Sequence, residues 1–474
     1  MIITAGDREK ERVFFEAERK KTPELFQRAP MIDDDASLQS VGIEAVYGSR
    51  PVGYLKLFPQ DFIVEEVSKE GTVCTIDLGN GEAPETGEGT TYYADLVKIG
   101  VSTLEAKEQL AHELGIDEKN IGYAGIKDRL ALTSQAISIR GLSDGKKISN
   151  IHADNFFLKN ITRGKGVVSN GGLNGNRFTI ILRFAEPIGP QLRTEMEQKV
   201  NEARTDGFWN FFYLQRFGTP RLIAHRLGRL ILLGDYQGTV KMFMTYIGER
   251  ELPYFRAIRE AVLEKWGDWK AIEELMDPFP YHFNLERTMV QHLSTHPADF
   301  LGALHTIPDQ VRLWSYAYDS YLFNRKLSEL IQSGDVPLWL PFISSFNPND
   351  WKPYQRFLEE DRVTLPSRSY RDFPFIRLES RRCPTLQPIE IHAAVFEERF
   401  ASLSFSLPKG SYATSFLVGF FALASGLPIV PGIYREPIDT SALTGRESFM
   451  PVFERFKKVL DRHQADLEAN LLEE

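Results

Sequence analysis

A single carboxylate between two cations, Lys127-Asp128-Arg129, is the first group in the sequence that could do chemistry. It ends the segment 122–129, which reads GYAGIKDR and in which two glycines permit a tight turn or a close backbone approach. Nearby positive charge favours the ionised form of a carboxylic acid, and that form suits a nucleophile or an electrostatic stabiliser. From these residues alone, a turn with an ordinary surface ion pair is the favoured alternative. If the segment is extended, Lys127 and Arg129 point away from the Asp128 side. The charge partner of Asp128 then comes from elsewhere, and Arg216 is one hypothesis.

The usual cofactor and metal signatures are missing from the sequence. It contains no GxxxxGK[ST] loop, and the glycines between 164 and 175 do not give a GxGxxG. His292 and His296 have i, i+4 spacing without an acidic residue between them, which favours structural or surface histidines. Cys74 and Cys383 form no CxxC and no disulfide framework, which indicates a reducing compartment. These patterns weigh against phosphate-driven, hydride-transfer and metal-hydrolysis enzymes.

Charge is distributed unevenly along the 474 residues. The whole chain carries −9, but residues 121–183 contain ten Lys and Arg against three Asp and no Glu, a local net charge of +7. A basic island in an acidic protein points to one anionic partner, and a solvated basic surface is an equal alternative.

Several elements that would position these residues can be read from local patterns. A helix is expected to run to Leu114 from a cap at Ser102 or Thr103, with Gly115 at its end. Strands are expected at 136–139 and 178–182, and the Gly- and Glu-rich stretch 79–89 is expected to be an exposed loop.

Two further stretches bear on the location of the chain. The first 21 residues are dense in charge and lack the apolar core of a signal peptide. Residues 416–424 are strongly apolar, but Gly426 and Pro428 interrupt the run well short of the roughly 20 residues that a membrane span needs. A buried helix followed by a turn is the prediction.

Five segments in order resemble the TruD family of tRNA pseudouridine synthases. Residues 124–135, AGIKDRLALTSQ, resemble the family signature AG-x-KD-[RK]-x-A-x-T-x-Q. Residues 61–66, DFIVEE, resemble its DF-x-V-x-E strand, and residues 175–178, GNRF, its GN-x-F element. Residues 210–218, ending QRFG, resemble the start of its inserted domain, and residues 407–415, LPKGSYATS, resemble its closing LP-x-GSYATS element. The resemblance extends over roughly residues 54 to 417.

The resemblance implies roles for individual residues. Asp128 falls on the nucleophile that attacks the target nucleotide, and Phe178 falls on the aromatic residue that stacks against the flipped uracil. Asn176 falls on a neighbouring polar contact, and Phe62 on another aromatic residue that contacts the substrate. Without the family, both phenylalanines would be core residues of strands, and Asn176 a turn residue.

The basic island would meet RNA phosphates, and those contacts should weaken as salt rises. The candidates for RNA contact are Lys127, Arg129, Lys146, Lys147, Lys159, Arg163, Lys165 and Arg216.

The resemblance also implies a fold, a reaction and partners. The fold would be α+β, with a pseudouridine-synthase-like mixed, mainly antiparallel sheet, flanking helices and an inserted α/β domain. The expected domains are an extension at 1–45, a catalytic domain at 46–206 and 400–435, the insertion at 207–399 and a helical tail at 436–474. The protein would be an isomerase that acts on a uridine of tRNA or another structured RNA, uridine 13 of tRNA being the usual target. No cofactor, metal or membrane is implied, and the expected location is the cytoplasm. The oligomeric state is not indicated.

Two other functions remain open at this point. One is a non-catalytic protein of the same fold that binds RNA or helps it to fold, although such a protein would not need the Asp128 carboxylate. The other is an adaptor that binds protein through its acidic surface and C-terminal helix, although the basic island would then have no use. The extension 1–45, the acidic stretch 79–89 and the residues after 415 all depart from the family pattern.

Overall fold

The computed structural model describes residues 5–44, 47–84, 87–436 and 438–469. The chain divides into two compact units. The unit that we call the sheet unit consists of Pro30–Ile32, Ser49–Trp209 and Leu386–Glu474. The unit that we call the helical unit consists of Met1–Ala29, Asp33–Gly48 and Asn210–Thr385.

Regular secondary structure runs through both units. The described residues form fifteen strands, β1 to β15 in chain order: Met31–Ile32, Val52–Leu55, Phe62–Ser68, Thr91–Lys98, Ile121–Tyr123, Leu132–Ile139, Phe156–Gly164, Leu173–Phe184, Phe208–Trp209, Trp339–Pro341, Arg382–Pro384, Leu386–Gln387, Glu390–Phe396, Phe400–Pro408 and Ala422–Ser425. They also form nineteen α-helices, α1 to α19: Ala5–Lys21, Asp35–Ser40, Thr103–Leu114, Lys146–Ser149, Pro190–Asp206, Ala224–Leu233, Tyr236–Thr245, Pro253–Glu264, Trp269–Met276, Asn284–Thr295, Phe300–His305, Pro308–Ser333, Pro348–Trp351, Gln355–Glu360, Ser369–Asp372, Ala413–Leu417, Thr440–Thr444, Met450–Arg455 and Lys457–Ala469. Short 3₁₀ helices lie at Pro23–Phe26, Pro59–Asp61, Glu118–Asn120, Leu214–Phe217 and Lys352–Tyr354.

The sheet unit is built on one large mixed sheet. Its main path runs β1-β15-β2-β8-β3-β6-β4-β7, with β14 paired to β8 and to β13, and β5 paired to β6. The pairs β15–β2 and β3–β6 are parallel, and the other pairs of this sheet are antiparallel. The prediction of an α+β fold with a mixed, mainly antiparallel sheet is therefore confirmed.

The two faces of this sheet have different environments because successive side chains of a strand point to opposite sides. Phe62, Val64 and Glu66 of β3 share one face, and Val64 lies opposite Phe178 of β8. On the other face, Ile63 of β3 and Leu132 of β6 pack in a cluster with Phe449, Val452 and Phe456. The helices α18 and α19 of the predicted tail therefore belong to the core beneath the sheet.

The helical unit consists mainly of helices, together with the two-stranded sheet β10–β11. It contains 210–385 of the predicted insertion 207–399, and also most of the predicted N-terminal extension. The helix α1 packs against α8 and the segment that follows α9 through aromatic contacts, among them Phe15 with Phe255 and Phe14 with Phe279. Farther along, the carbonyl oxygens of Val41 and Gly42 accept hydrogen bonds from Asn324 and Ser328 of α12.

The apolar run at 416–424 was predicted to be one buried helix, and that prediction is wrong. The helix α16 has five residues, and the strand β15 follows it and runs parallel to β2. Apolar content alone does not distinguish a buried helix from a buried strand of this length. In the part of the chain that the structure describes, no helix is long and apolar enough to span a membrane.

Candidate functional site

Asp128 lies in the connection between β5 and β6, on a loop whose backbone is closely confined. A Cβ atom on Gly122 would lie 2.3 Å from the carbonyl oxygen of Val168, so only glycine fits at this position. The carbonyl oxygen of Gly125 accepts a hydrogen bond of 2.9 Å from Nε2 of Gln135. The chain is therefore confined at Gly122 in β5 and held at Gly125 within the loop, and the Asp128 side chain, 57% exposed, projects from this loop.

A chain of buried hydrogen bonds fixes the loop immediately before Asp128. Oγ1 of Thr103 donates to Oε1 of Gln135 and accepts from the backbone N–H of Lys127, each at 2.9 Å. Thr103 is the first residue of α3, whose Ser102 cap and Glu105 form a capping box. The N-terminal end of α3 and the strand β6 thus fix the backbone of the loop that carries Asp128.

Lys127 was proposed as a contact to RNA, but the structure places it in the interior. Its side chain is 5% exposed, and its Nζ lies 2.8 Å from Oε2 of Glu66. The same Nζ donates to Oδ1 of Asn176 at 2.7 Å. Because both partners are protein groups within hydrogen-bond reach, Lys127 holds β3, β8 and the Asp128 loop together and is not a surface cation for phosphates.

The ion-pair partner of Asp128 is Lys56, a residue that the sequence analysis missed. Its Nζ lies 2.5 Å from Oδ2 of Asp128 and 4.1 Å from the centroid of the Phe62 ring. Lys56 directly follows β2 and has a φ of 60°, in the left-handed region. Because the two residues are 72 positions apart, no local pattern in the sequence indicates this pair.

A second lysine, Lys98 at the end of β4, supports Asp128 from inside the protein. Its ammonium donates to the backbone oxygen of Asp128 at 2.8 Å and to that of Val101 at 2.9 Å. Burial lowers the pKa of Lys98 to about 7, although the nearby charge of Asp128 acts in the opposite direction. The backbone and the side chain of Asp128 are therefore each contacted by a lysine.

Three phenylalanine rings lie together on the sheet face that carries Glu66 and Asn176. The Phe62 and Phe178 rings meet edge to face at 6.1 Å, and Phe178 stacks on Phe405 of β14 at 5.4 Å. Phe62 and Phe178 are 5% and 8% exposed, so most of each ring packs against protein. The predicted residues Phe62, Asn176 and Phe178 are thus neighbours, and Lys56 links them to Asp128.

The DFIVEE segment, residues 61–66, is anchored at both of its ends, by Asp61 just before β3 and by Glu66 within β3. Asp61 accepts hydrogen bonds from Nε and Nη2 of Arg183, at 2.7 and 2.9 Å, and both side chains are buried. At the other end, Glu66 pairs with Lys127. The charged residues of this segment therefore fix the strand, and Phe62 between them is held in register.

The other cations proposed for RNA contact have different surroundings. Lys159 is wholly buried, with its Nζ 2.6 Å from Oδ1 of Asp77, so it is not available to phosphates and that prediction is corrected. Arg163 donates to the Gly89 carbonyl oxygen. The remaining candidates on the sheet unit are exposed: Arg129, paired with Glu105, Lys165, paired with Glu88, and Lys146 and Lys147 on α4.

Arg216 belongs to the helical unit, where its contacts are internal. Its Nε donates to Oγ of Ser320 at 3.0 Å, and its Nη2 donates to the carbonyl oxygen of Tyr316 at 3.3 Å. The ion pair that the structure gives to Asp128 is with Lys56.

Among the described residues, no group of three or more His, Cys, Asp and Glu is arranged to hold a metal ion.

This combination of a mixed sheet, an exposed aspartate paired with lysine and a cluster of phenylalanines agrees with a pseudouridine-synthase fold. In a solved structure titled as the putative tRNA pseudouridine synthase D (TruD) from Methanosarcina mazei, the same fold recurs, with a TM-score of 0.63 and 24% identity over 81% of this chain and 97% of that one. The family model described as tRNA pseudouridine synthase D (TruD) matches residues 45–338. The chain belongs to the TruD family.

Curated relatives support the same membership. A protein named probable tRNA pseudouridine synthase D from Methanopyrus kandleri is 30% identical over 70% of this chain and 85% of its own length. One of the same name from Methanococcus vannielii is 27% identical over 76% of this chain and 93% of its own length.

Proposed function

We propose that this protein converts a uridine of tRNA, uridine 13, to pseudouridine and that Asp128 is the nucleophile. Membership of the TruD family supports the reaction class. The choice of uridine 13 rests on the usual target of the family that the sequence resembles. In this isomerisation the bond between N1 of uracil and C1′ of ribose breaks, and C5 of the base bonds to C1′. C5 loses its proton and N1 takes one up, so the product is an isomer of uridine.

The observation that carries the proposal is that Asp128 is exposed while the lysines that hold its loop are buried. Its carboxylate is more than half exposed, whereas Lys98 and Lys127 beneath it are buried and bonded to fixed partners. Such support holds a reacting group in one geometry, which lowers the entropic cost of reaching the transition state. A turn that merely carried a surface ion pair would not need two buried lysines.

The part of the phenylalanine cluster that remains exposed, on Phe62 and Phe178, would be the place for the base. A uridine inside a folded RNA must leave its stack, at a cost of a few kcal/mol. Stacking on an aromatic side chain is worth about 1–3 kcal/mol per base and offsets part of that cost. Phe62 lies against the Lys56 ammonium that pairs with Asp128, so a base at this cluster would be next to the carboxylate.

The experiment maps pseudouridine by nucleotide in tRNA transcripts incubated with the purified protein. We expect modification at position 13 of a transcript with uridine there, and none in a matched transcript with cytidine at 13. Asp128→Asn should abolish the modification. The matched control is Asp144→Asn, which makes the same substitution at another exposed aspartate. Asp144 accepts a hydrogen bond from the backbone N–H of Lys146, and the side-chain oxygen of asparagine can still accept it.

Two outcomes would count against the proposal in different ways. Pseudouridine at another position would contradict the choice of uridine 13 and leave the reaction standing. If the wild-type protein and Asp128→Asn bind tRNA equally and neither modifies tRNA or total cellular RNA, the protein binds or folds RNA without catalysis.

A further inference from the structure

The C-terminal segment after 445 makes three separate contacts beneath the strand and loop that carry Lys56 and Phe62. Arg446 pairs through both Nη atoms with the buried carboxylate of Glu65 on β3, at 2.5 and 2.9 Å. Phe456 is wholly buried in the cluster that contains Ile63. The third contact comes from His463 of α19, whose Nε2 lies 2.9 Å from the backbone oxygen of Leu57.

The His463 contact is directed at the residue next to Lys56. A carbonyl oxygen only accepts, so Nε2 of His463 carries the proton and donates it to Leu57. The same ring meets the Phe58 ring edge to face at 6.4 Å. Leu57 and Phe58 are both buried, so His463 holds two consecutive residues of a packed loop.

Lys56 needs such support because of its backbone conformation. Its φ of 60° lies in a region that residues with a Cβ atom seldom adopt. Conformations of this kind persist only where the surrounding structure holds them. Lys56 must keep this conformation while its ammonium reaches both Asp128 and the Phe62 ring.

We propose that His463 is a positioning residue for the reaction, which acts by holding the 56–58 loop so that Lys56 is aimed at Asp128. The inference rests on the proposed function. On this proposal the C-terminal helix contributes to the reaction and does not need to contact RNA to do so. Removing the His463 hydrogen bond should slow the reaction without weakening the binding of tRNA.

The test compares His463→Leu with His463→Gln, whose amide N–H can replace the donated hydrogen bond. Single-turnover rates of pseudouridine formation and the Kd for tRNA are measured for each variant. We expect His463→Leu to be about tenfold slower, as for the loss of one neutral hydrogen bond, with Kd unchanged within about twofold. His463→Gln should recover most of the rate. His112→Leu, at an exposed histidine of α3, is the matched control.

A double-mutant comparison separates positioning of Lys56 from general loosening of the fold. If His463 acts through Lys56, His463→Leu should have almost no further effect on the rate in a Lys56→Ala background. An equal loss in both backgrounds would overturn the proposal, and so would an unchanged rate in His463→Leu. Failure of the proposed function is recognised independently, because the wild-type protein would then make no pseudouridine.

Discussion

The three charged residues Lys127, Asp128 and Arg129 are adjacent in sequence, yet each pairs with a different residue. The Lys127–Glu66 pair is buried, with side chains 5% and 2% exposed, whereas Arg129 is 63% exposed beside Glu105. Breaking a buried pair leaves an uncompensated charge, while an exposed pair is screened by water. The two cations beside Asp128 should therefore differ sharply in their effect on stability.

Lys127→Met should lower the free energy of unfolding of the sheet unit by roughly 3–5 kcal/mol, because Glu66 is left buried without its cation. The matched variant Arg129→Met should cost no more than about 1 kcal/mol. Native-state hydrogen exchange of the β3 and β8 amides measures both, since it reports opening of this unit. Equal effects of the two substitutions would contradict the assignment of Lys127 to the interior.

Because Lys98 is buried, the stability of the protein should depend on pH. Its pKa is lowered by burial to about 7 in the folded protein, from an ordinary value of 10.5. Between these two values the unfolded chain binds more protons at this site, so stability should rise as pH increases from about 7 toward 10.5. Urea unfolding of wild type and Lys98→Met over this interval tests the point. The difference between their unfolding free energies should grow in favour of the wild type, and parallel curves would contradict it.

At the residue scale, motifs indicated the residues of the candidate site but not the residues that support them. Asp128, Asn176, Phe62 and Phe178 stood in segments with a recognisable pattern, and the structure brings them together. Lys56 was missed, as were Lys98, Glu66 and Phe405, because their importance depends on contacts between strands far apart in sequence. The burial of lysines could not be predicted from the sequence either. Lys127 and Lys159 are buried by the assembled sheet, and no local pattern distinguishes them from the exposed lysines.

Elements with local end signals were the easiest to predict. The helix expected to run to Leu114 from a cap at Ser102 or Thr103 is α3, and the structure makes Ser102 the cap. Ser102 and Glu105 form its capping box, and Gly115 supplies its left-handed end. The strands expected at 136–139 and 178–182 lie within β6 and β8. Residues 416–424 carried no such signals, and a short helix followed by a strand was mistaken for one helix.

The helix α18 and the residues after it should be required for the stability of the sheet. Phe456→Ala should lower the unfolding free energy of the sheet unit by about 3–5 kcal/mol, because it leaves a cavity beside Ile63 and Leu132. Met450→Ala is the matched control: this side chain is 47% exposed, and its loss should cost about 0.5 kcal/mol or less. Hydrogen exchange of the β3 and β6 amides measures both. A negligible effect of Phe456→Ala would show that the tail is dispensable for the sheet.

At the scale of the whole molecule, the net charge of −9 conceals the surface that would meet RNA. Of the candidates, Lys127 and Lys159 are buried, whereas Lys146 and Lys147 are exposed on α4. Only exposed cations can displace the counterions that surround RNA phosphates. The local charge of +7 therefore overstates the number of side chains available to the substrate.

The salt dependence of tRNA binding should reveal this surface. Lys146→Gln/Lys147→Gln should reduce the slope of log affinity against log salt by about 1–2 units. Lys265→Gln/Lys270→Gln removes the same charge from the helical unit and should leave the slope unchanged. Fluorescence anisotropy with labelled tRNA measures both double variants. An unchanged slope in the first would remove α4 from the RNA surface.

Chain organisation was only partly visible in the sequence. The LPKGSYATS segment, in β14 and the residues after it, predicted that the chain returns to the sheet near residue 400. The sheet unit in fact resumes at Leu386, and β13 before residue 400 already pairs with β14. The assignment of α1 to the helical unit and of α18 and α19 to the sheet unit could not be predicted, because both depend on aromatic contacts over hundreds of residues.

The most direct test of the central claim, that Asp128 isomerises uridine, is release of tritium from tRNA labelled at C5 of uridine. The tritium is released when C5 loses its hydrogen on bonding to C1′ of the ribose. Under single-turnover conditions we predict one equivalent released per tRNA by wild type and by Asp144→Asn, and no release by Asp128→Asn at unchanged tRNA affinity. Release by Asp128→Asn at the wild-type rate would contradict the account.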